Sequence, residues 1–343
     1  MIASCEIDSA ELNATIVLKP ENTPINDSAW YAFKLSSEQH KHLNISIEVK
    51  DGSNRYPPKV SYDGKRWQFI EHTFTDKQLQ FSVQLSHKPI YIAAQEMITN
   101  DDYLKWGVKA AQKSFVEKYK VANSVQMKPI FGYDVIQNPE AKKWLVVLGR
   151  MHPPELTGAM AFFPFADTLL GRSKLACQFR DKFNIFIVPN INPDGVEAGH
   201  WRHNTNGIDL NRDWINFSQP EVIGVHKRIQ QLVAEGGEMA MAVDFHSTNK
   251  DVFYTMPSDY NVAYPHMVET WLKQLDDSLV VDFTVLPEPG TSPGRGVFKQ
   301  YFADEYQVHA ITYEMGDNTN REVIRVVAEE AAESLMSTML KTY

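Results

Sequence analysis

The chain has 343 residues, 43% of them hydrophobic and 22% charged, which is enough apolar material for about two packed domains and excludes global disorder. Against 34 basic side chains stand 43 acidic ones, a net charge of -9, and no Lys/Arg cluster offers the basic face that a nucleic-acid binder needs. Cys5 and Cys177 are the only cysteines. They exclude a disulfide framework and a thiolate metal cluster, so a metal would have to rest on His and carboxylate ligands. No apolar run reaches bilayer length, and Met1–Glu6 lacks a basic then apolar leader. The expectation is a cytoplasmic protein with no membrane partner.

In chain order, the first hundred residues read as strands. Leu43, Ile45, Ile47 and Val49 alternate with polar residues, as do Phe81, Val83 and Leu85, the period of half-buried strands. Asp63-Gly64, between Tyr62 and Trp67, marks a hairpin whose two central positions would need positive φ. With no helix interrupting it, residues 1–100 predict an antiparallel β-sandwich domain. The period changes near Asn100. Tyr103 to Lys120 has helical spacing, and a second domain is expected over 101–343. Its strands are predicted at Trp144–Gly149, Phe183–Pro189, Met239–Phe245, Val281–Leu286 and Val308–Glu314. Its helices are predicted at Glu155–Leu170, Pro220–Glu235, Tyr264–Ser278, Gly296–Glu305 and Arg321–Lys341. Continuous apolar strands between amphipathic helices imply an α/β sheet covered on both faces.

Chemistry first shows at Gly149-Arg150-Met151-His152-Pro153-Pro154-Glu155. An apolar strand ends and His152 and Glu155 follow on the loop, at the strand end where α/β sheets gather ligands. His-x-x-Glu can aim an imidazole and a carboxylate at one zinc ion. His246, ending another apolar strand, can supply a third ligand, and three protein ligands leave a position open for water, as a catalytic zinc requires. With 11 histidines in the chain, these two segments alone favour the blander reading of hydrogen-bonded surface groups.

A third region reverses that balance: Asn190-Ile191-Asn192-Pro193-Asp194-Gly195-Val196, then Gly199-His200-Trp201-Arg202, then Gly207-Ile208-Asp209-Leu210-Asn211-Arg212-Asp213-Trp214. Here the chain resembles the zinc carboxypeptidase family typified by carboxypeptidase A, and within it the cytosolic carboxypeptidases or tubulin deglutamylases. Gly149–Glu155 fits the same pattern. Ala29–Phe33, Val60–Gly64 and Ile90–Ala93 are similar to that subfamily's β-rich N-terminal domain. The resemblance implies a mixed eight-stranded sheet flanked by helices, preceded by the antiparallel β-sandwich domain. It also implies one Zn2+ per chain, held by His152, Glu155 and His246. Asp209 would accept a hydrogen bond from the first ligand histidine. Asn211 and Arg212 would grip the substrate's terminal carboxylate, for which a guanidinium fork is suited. Arg202 would stabilise the oxyanion. Glu314, in Thr312-Tyr313-Glu314, would be the general base that moves a proton from water to the leaving amine.

The implied activity is hydrolysis of the C-terminal peptide bond of peptides or protein tails. Members of the carboxypeptidase A type carry a mobile tyrosine upstream of the base that caps the substrate. In this chain the count falls near Ser292, in Pro289–Arg295, with no tyrosine, and Tyr301 is predicted on a helix. The same loop offers Arg295 and Lys299, and that basic pair predicts selectivity for a C-terminal Glu or Asp. Two other readings share these residues. An aspartoacylase-type zinc deacylase also carries His-x-x-Glu and Asp-Leu-Asn-Arg, and a catalytically silent zinc-binding module would need no general base. For the N-terminal domain, tail binding and self-association compete with simple bracing, which is the default.

Overall fold

Unbroken apolar runs such as Leu145–Leu148 and Ile185–Val188 leave no face for water, so they must sit inside a sheet covered twice. A computed structural model describes residues 1–343. The chain forms two compact units. One comprises Met1–Thr99 with the segments His152–Leu156 and Asp194–Gly207, and the other comprises Asn100–Met151, Thr157–Pro193 and Ile208–Tyr343.

The first unit contains strands β1 (Ile2–Asp8), β2 (Asn13–Leu18), β3 (Ala32–Leu35), β4 (Lys41–Val49), β5 (Lys59–Ser61), β6 (Trp67–Phe69), β7 (His72–Phe74), β8 (Gln78–Leu85) and β9 (Ile90–Ala93). They make a five-stranded sheet, β1-β2-β4-β8-β7, and a four-stranded sheet, β3-β9-β5-β6. The predicted alternation holds, with Leu43, Ile45, Ile47, Val49, Phe81, Val83 and Leu85 all buried. The pairing is not wholly antiparallel, because β2 and β4 run parallel. Between them the chain leaves to form β3 in the other sheet, the long crossover that a parallel pair needs. The Asp63-Gly64 hairpin joins β5 to β6, but only Gly64 takes positive φ, 72°. Asp63 keeps ordinary backbone and turns the chain through its carboxylate, which accepts from the N–H groups of Lys65 (2.9 Å) and Arg66 (2.8 Å).

The second unit is built on strands β10 (Val116–Asn123), β11 (Pro129–Val135), β12 (Lys143–Gly149), β13 (Phe183–Val188), β14 (Glu238–Thr248), β15 (Val252–Thr255), β16 (Pro287–Pro289) and β17 (Ala310–Gly316). They form one mixed eight-stranded sheet, ordered β10-β11-β13-β12-β14-β17-β15-β16. Helices are α1 (Asn100–Ala110), α2 (Leu156–Leu169), α3 (Lys174–Lys182), α4 (Pro193–Ala198), α5 (Pro220–Ala234), α6 (Met267–Ser278), α7 (Phe298–Tyr306) and α8 (Arg321–Thr342). Alternate strand residues feed two cores. Leu145, Val147, Val243, Phe245 and Tyr313 pack with α2, α6 and α8 residues such as Phe165, Trp271 and Leu335. Val146, Leu148 and Ala242 pack with Val225 of α5 and Phe298 of α7.

Two predicted elements change. The expected helix over Tyr103–Lys120 stops at Ala110, and its second half becomes β10, paired with β11. Val116, Tyr119 and Val121 are β-branched or aromatic, and the sheet gives them partners that a helix would not. The expected strand Val281–Leu286 lies just before β16. Phe283 and Val285 pack against the core without a ladder, and pairing with β15 begins at Pro287. No helix is long and apolar enough to cross a membrane.

Candidate metal centre

The parallel centre of the sheet brings strand ends together. Gly149 ends β12 opposite Phe245 of β14, and His246 stands opposite Glu314 of β17. Adjacent strands lie about 4.8 Å apart, so the Glu314 and His246 backbones are nearest neighbours, and partners in register point to one face. Alternation identifies that face. Val243, Phe245, Ile311, Tyr313 and Met315 belong to the α2/α6/α8 core, so Asp244, His246, Thr312 and Glu314 project to the other side.

After Gly149 the chain turns sharply at Arg150, whose φ of 57° costs a non-glycine residue about 1 kcal/mol. The turn is held because Arg150 Nη1 donates to Tyr103 Oη (2.9 Å) and Asn192 Nδ2 donates to Met151 O (3.0 Å). His152 and Glu155 follow at once, both buried, with His152 Nδ1 2.8 Å from Glu155 Oε1. Each of His152, Glu155 and His246 offers a ligand atom, and those atoms all lie within 4.8 Å of one another. Two imidazoles and a carboxylate that converge in a buried position fit zinc, which takes N and O donors.

Asp244 went unnoticed in the sequence. Its Oδ2 lies 2.6 Å from His246 Nε2, and both side chains are fully buried. An ionised carboxylate only accepts, so Nε2 carries the proton and Nδ1 keeps its lone pair for a metal. The signal was available, since residues two apart on a strand share a face. Tyr254, also missed, lies on β15 across from Thr312. Burial raises its phenol pKa, and the nearby Glu314 charge adds to the rise.

The segment after α4 carries the remaining predicted residues. Asp209 is half-buried and caps the turn Leu210–Arg212, accepting from Asn211 N (2.9 Å). Asn211 is buried. Its Oδ1 accepts from Phe298 N (2.9 Å), and its Nδ2 lies 3.3 Å from His246 Nε2. Arg212 Nη1 donates to Asn211 O (2.6 Å). Gly296, at φ 65°, sits so close that a Cβ there would come 2.2 Å from Arg212 O, so only glycine lets this loop approach. The two residues expected to select an acidic side chain part company. Arg295 is exposed, whereas Lys299 is buried and its Nζ donates to Thr255 O (2.8 Å) and Gly290 O (2.5 Å). Burial lowers the Lys299 pKa to about 8. Tyr301 lies on α7 as expected, its hydroxyl 2.8 Å from His226 Nδ1. Arg202 is half-buried, on the loop after α4.

Comparison with known proteins agrees with this geometry. A zinc carboxypeptidase family model matches residues 104–334, more than half of the chain, and a cytosolic carboxypeptidase N-terminal domain model matches residues 2–94. Human cytosolic carboxypeptidase 2 is 34% identical over 117 residues, 33% of this chain and 13% of that protein. Cytosolic carboxypeptidase 2 of Xenopus tropicalis is 34% identical over 112 residues, and the match spans only 12% of that relative's length. Among solved structures, a metallo-carboxypeptidase from Burkholderia cenocepacia superposes with a TM-score of 0.83 at 18% identity, covering 100% of this chain and 96% of that one. A metallo-carboxypeptidase from Pseudomonas aeruginosa gives 0.77 at 18% identity, covering 98% and 96%. These two likenesses concern the fold. With the family model spanning most of the sheet and every residue of the buried His-Glu-His cluster, the chain belongs to the zinc carboxypeptidase family.

Proposed function

We propose that this protein is a zinc-dependent carboxypeptidase that removes the C-terminal residue of peptides or protein tails, acts in the cytoplasm and favours acidic C-terminal residues. The observation that carries the reading is Glu314 in register beside His246, a carboxylate that pure metal binding has no use for. His152, Glu155 and His246 would hold the ion, and Asp244 would fix the His246 tautomer. When bound, zinc supplies a Lewis acid that acidifies water and polarises the scissile carbonyl. Glu314 would take the proton of the attacking water and pass it to the leaving amine. Arg202 would stabilise the developing oxyanion, a contribution best made by a donor already in place. Asn211 and Arg212 would fix the substrate carboxylate, with Asp209 shaping their turn through its bond to Asn211 N. Lys299, with Arg295 at the loop surface, would favour a C-terminal Glu or Asp.

The match of residues 2–94 to a cytosolic carboxypeptidase N-terminal domain supports the peptidase over a deacylase, and supports the cytoplasmic location. Glu314→Gln tests the reading. Peptide hydrolysis should fall by about 10²-fold or more, the size of a general acid–base contribution, with one zinc per chain retained. Undiminished hydrolysis would remove Glu314 from the mechanism. A preference for Phe or Lys over Glu at the substrate terminus would overturn the acidic selectivity.

A further inference from the structure

The loop that carries Arg202 is held by one carboxylate from far away in the chain. Glu21 lies between β2 and β3, and within the first unit its Oε2 accepts from Trp201 N (2.7 Å). Its Oε1 accepts from Arg202 N (2.9 Å) and His203 N (2.7 Å), and lies 2.9 Å from His203 Nδ1. Three successive backbone N–H groups and a ring nitrogen thus converge on a side chain only 4% exposed. The loop is pinned on both sides of that contact. Ser28 Oγ donates to Trp201 O (3.0 Å), and Trp201 Nε1 donates to Trp30 O (3.0 Å). Trp201 itself is fully buried, and a Cβ on Gly52 would come within 2.8 Å of its ring. Such a loop has little freedom left, and the one member of Trp201–His203 that is not buried is Arg202.

We propose that Glu21 is a positioning residue that fixes the backbone from which the Arg202 guanidinium projects, so that the N-terminal region sets the geometry of transition-state stabilisation. This rests on the oxyanion role proposed for Arg202. An electrostatic stabiliser works to the extent that it needs no reorganisation during reaction, and misplacement by about 1 Å can cost on the order of a hundredfold in rate. A carboxylate that gathers three consecutive amides meets that need better than apolar packing, because it fixes direction as well as distance.

The test uses the full-length, zinc-loaded protein with Glu21→Gln, Glu21→Asp, Arg202→Ala and the Glu21→Gln/Arg202→Ala pair. Glutamine keeps the shape but brings an NH2 to a site that needs only acceptors, and aspartate keeps the charge with a shorter reach. Glu21→Gln should lower kcat by about tenfold to a hundredfold, with KM changed by less than about twofold and zinc content unchanged. Glu21→Asp should lose less. In the Arg202→Ala background, Glu21→Gln should cost less than about twofold more, because coupled residues are not additive. Independently, amide exchange at Trp201, Arg202 and His203 should quicken by about tenfold or more in Glu21→Gln. An unchanged kcat in Glu21→Gln, a loss that multiplies fully with that of Arg202→Ala, or unchanged exchange in Glu21→Gln would overturn the proposal. Failure of the parent protein to cleave any peptide would overturn the hydrolase reading and the catalytic role of the clamp with it, while exchange reports separately whether Glu21 holds the loop.

Discussion

Gly158→Ala places a single methyl group against the metal centre without touching any ligand side chain. Gly158 is the third residue of α2, and its amide donates to Ser247 Oγ (2.7 Å), so the helix start abuts the end of β14. A Cβ there would lie 2.3 Å from His246 O, 2.6 Å from its carbonyl carbon and 2.9 Å from its nitrogen. Relief to ordinary contact at about 3.4 Å requires helix and strand to part by about 1 Å, and the three nearest obstructing atoms are backbone with no rotamer to yield. Helix propensity favours alanine by about 1 kcal/mol, but overpacking costs about 1–3 kcal/mol, so the clash prevails. Metal–ligand distances tolerate only about 0.2 Å, so a shifted His246 should weaken zinc by about 10–100-fold, as loss of an orienting partner does. Competition against a chromophoric chelator reads that affinity. Gly290→Ala is the control, since nothing lies within 4 Å of its Cβ. Zinc affinity within about threefold of the parent in Gly158→Ala would refute the claim that helix packing sets the His246 position.

Asp244→Asn should weaken zinc by about 10–100-fold, because an amide no longer enforces the Nδ1 lone pair of His246, and chelator titration checks it. Lys299, with its pKa lowered to about 8 by burial, is protonated below that pH and loses its charge above it. The preference for C-terminal Glu over Gln should therefore hold near pH 7 and fade as pH rises past 8, by about tenfold by pH 9 if the charge carries it, and a ratio flat across that range would acquit Lys299. For Glu21, burial opposes ionisation, but the bonds from the His203 ring and the Trp201 and His203 amides outweigh it and lower the carboxyl from 4.5 to about 2. A lowered carboxylate stabilises the fold fully above its unfolded value, here by about 3 kcal/mol, and that gain disappears as pH falls from about 4.5 towards 2. Urea unfolding should show Glu21→Gln trailing the parent by about that much at pH 7 and converging with it below pH 3.

What could be read from the residues alone follows physical range. The strands that carry Gly149, His246 and Glu314 were visible because continuous apolar runs have one solution, and the candidate site residues sit at or close to their carboxyl ends. The β10 strand was not visible, because Lys118 and Lys120 give it a polar edge whose partner, β11, determines its conformation. Asp244 could have been found from alternation with His246. Glu21 could not, since its partners lie about 180 residues away and nothing local distinguishes it from a surface glutamate. Lys299 is a third kind of case. Its charge was read from the loop, but its burial and its two carbonyl acceptors come from the packing of α7 against Thr255 and Gly290.

The proposed hydrolase stands or falls with His152, Glu155 and His246 sharing one metal ion. X-ray absorption at the zinc edge of the loaded protein addresses it directly. The spectrum should show only N and O neighbours near 2.0–2.1 Å with the outer-shell signature of two imidazoles, one of them lost in His246→Ala. A sulfur shell near 2.3 Å, or a spectrum that His246→Ala leaves unchanged, would contradict it.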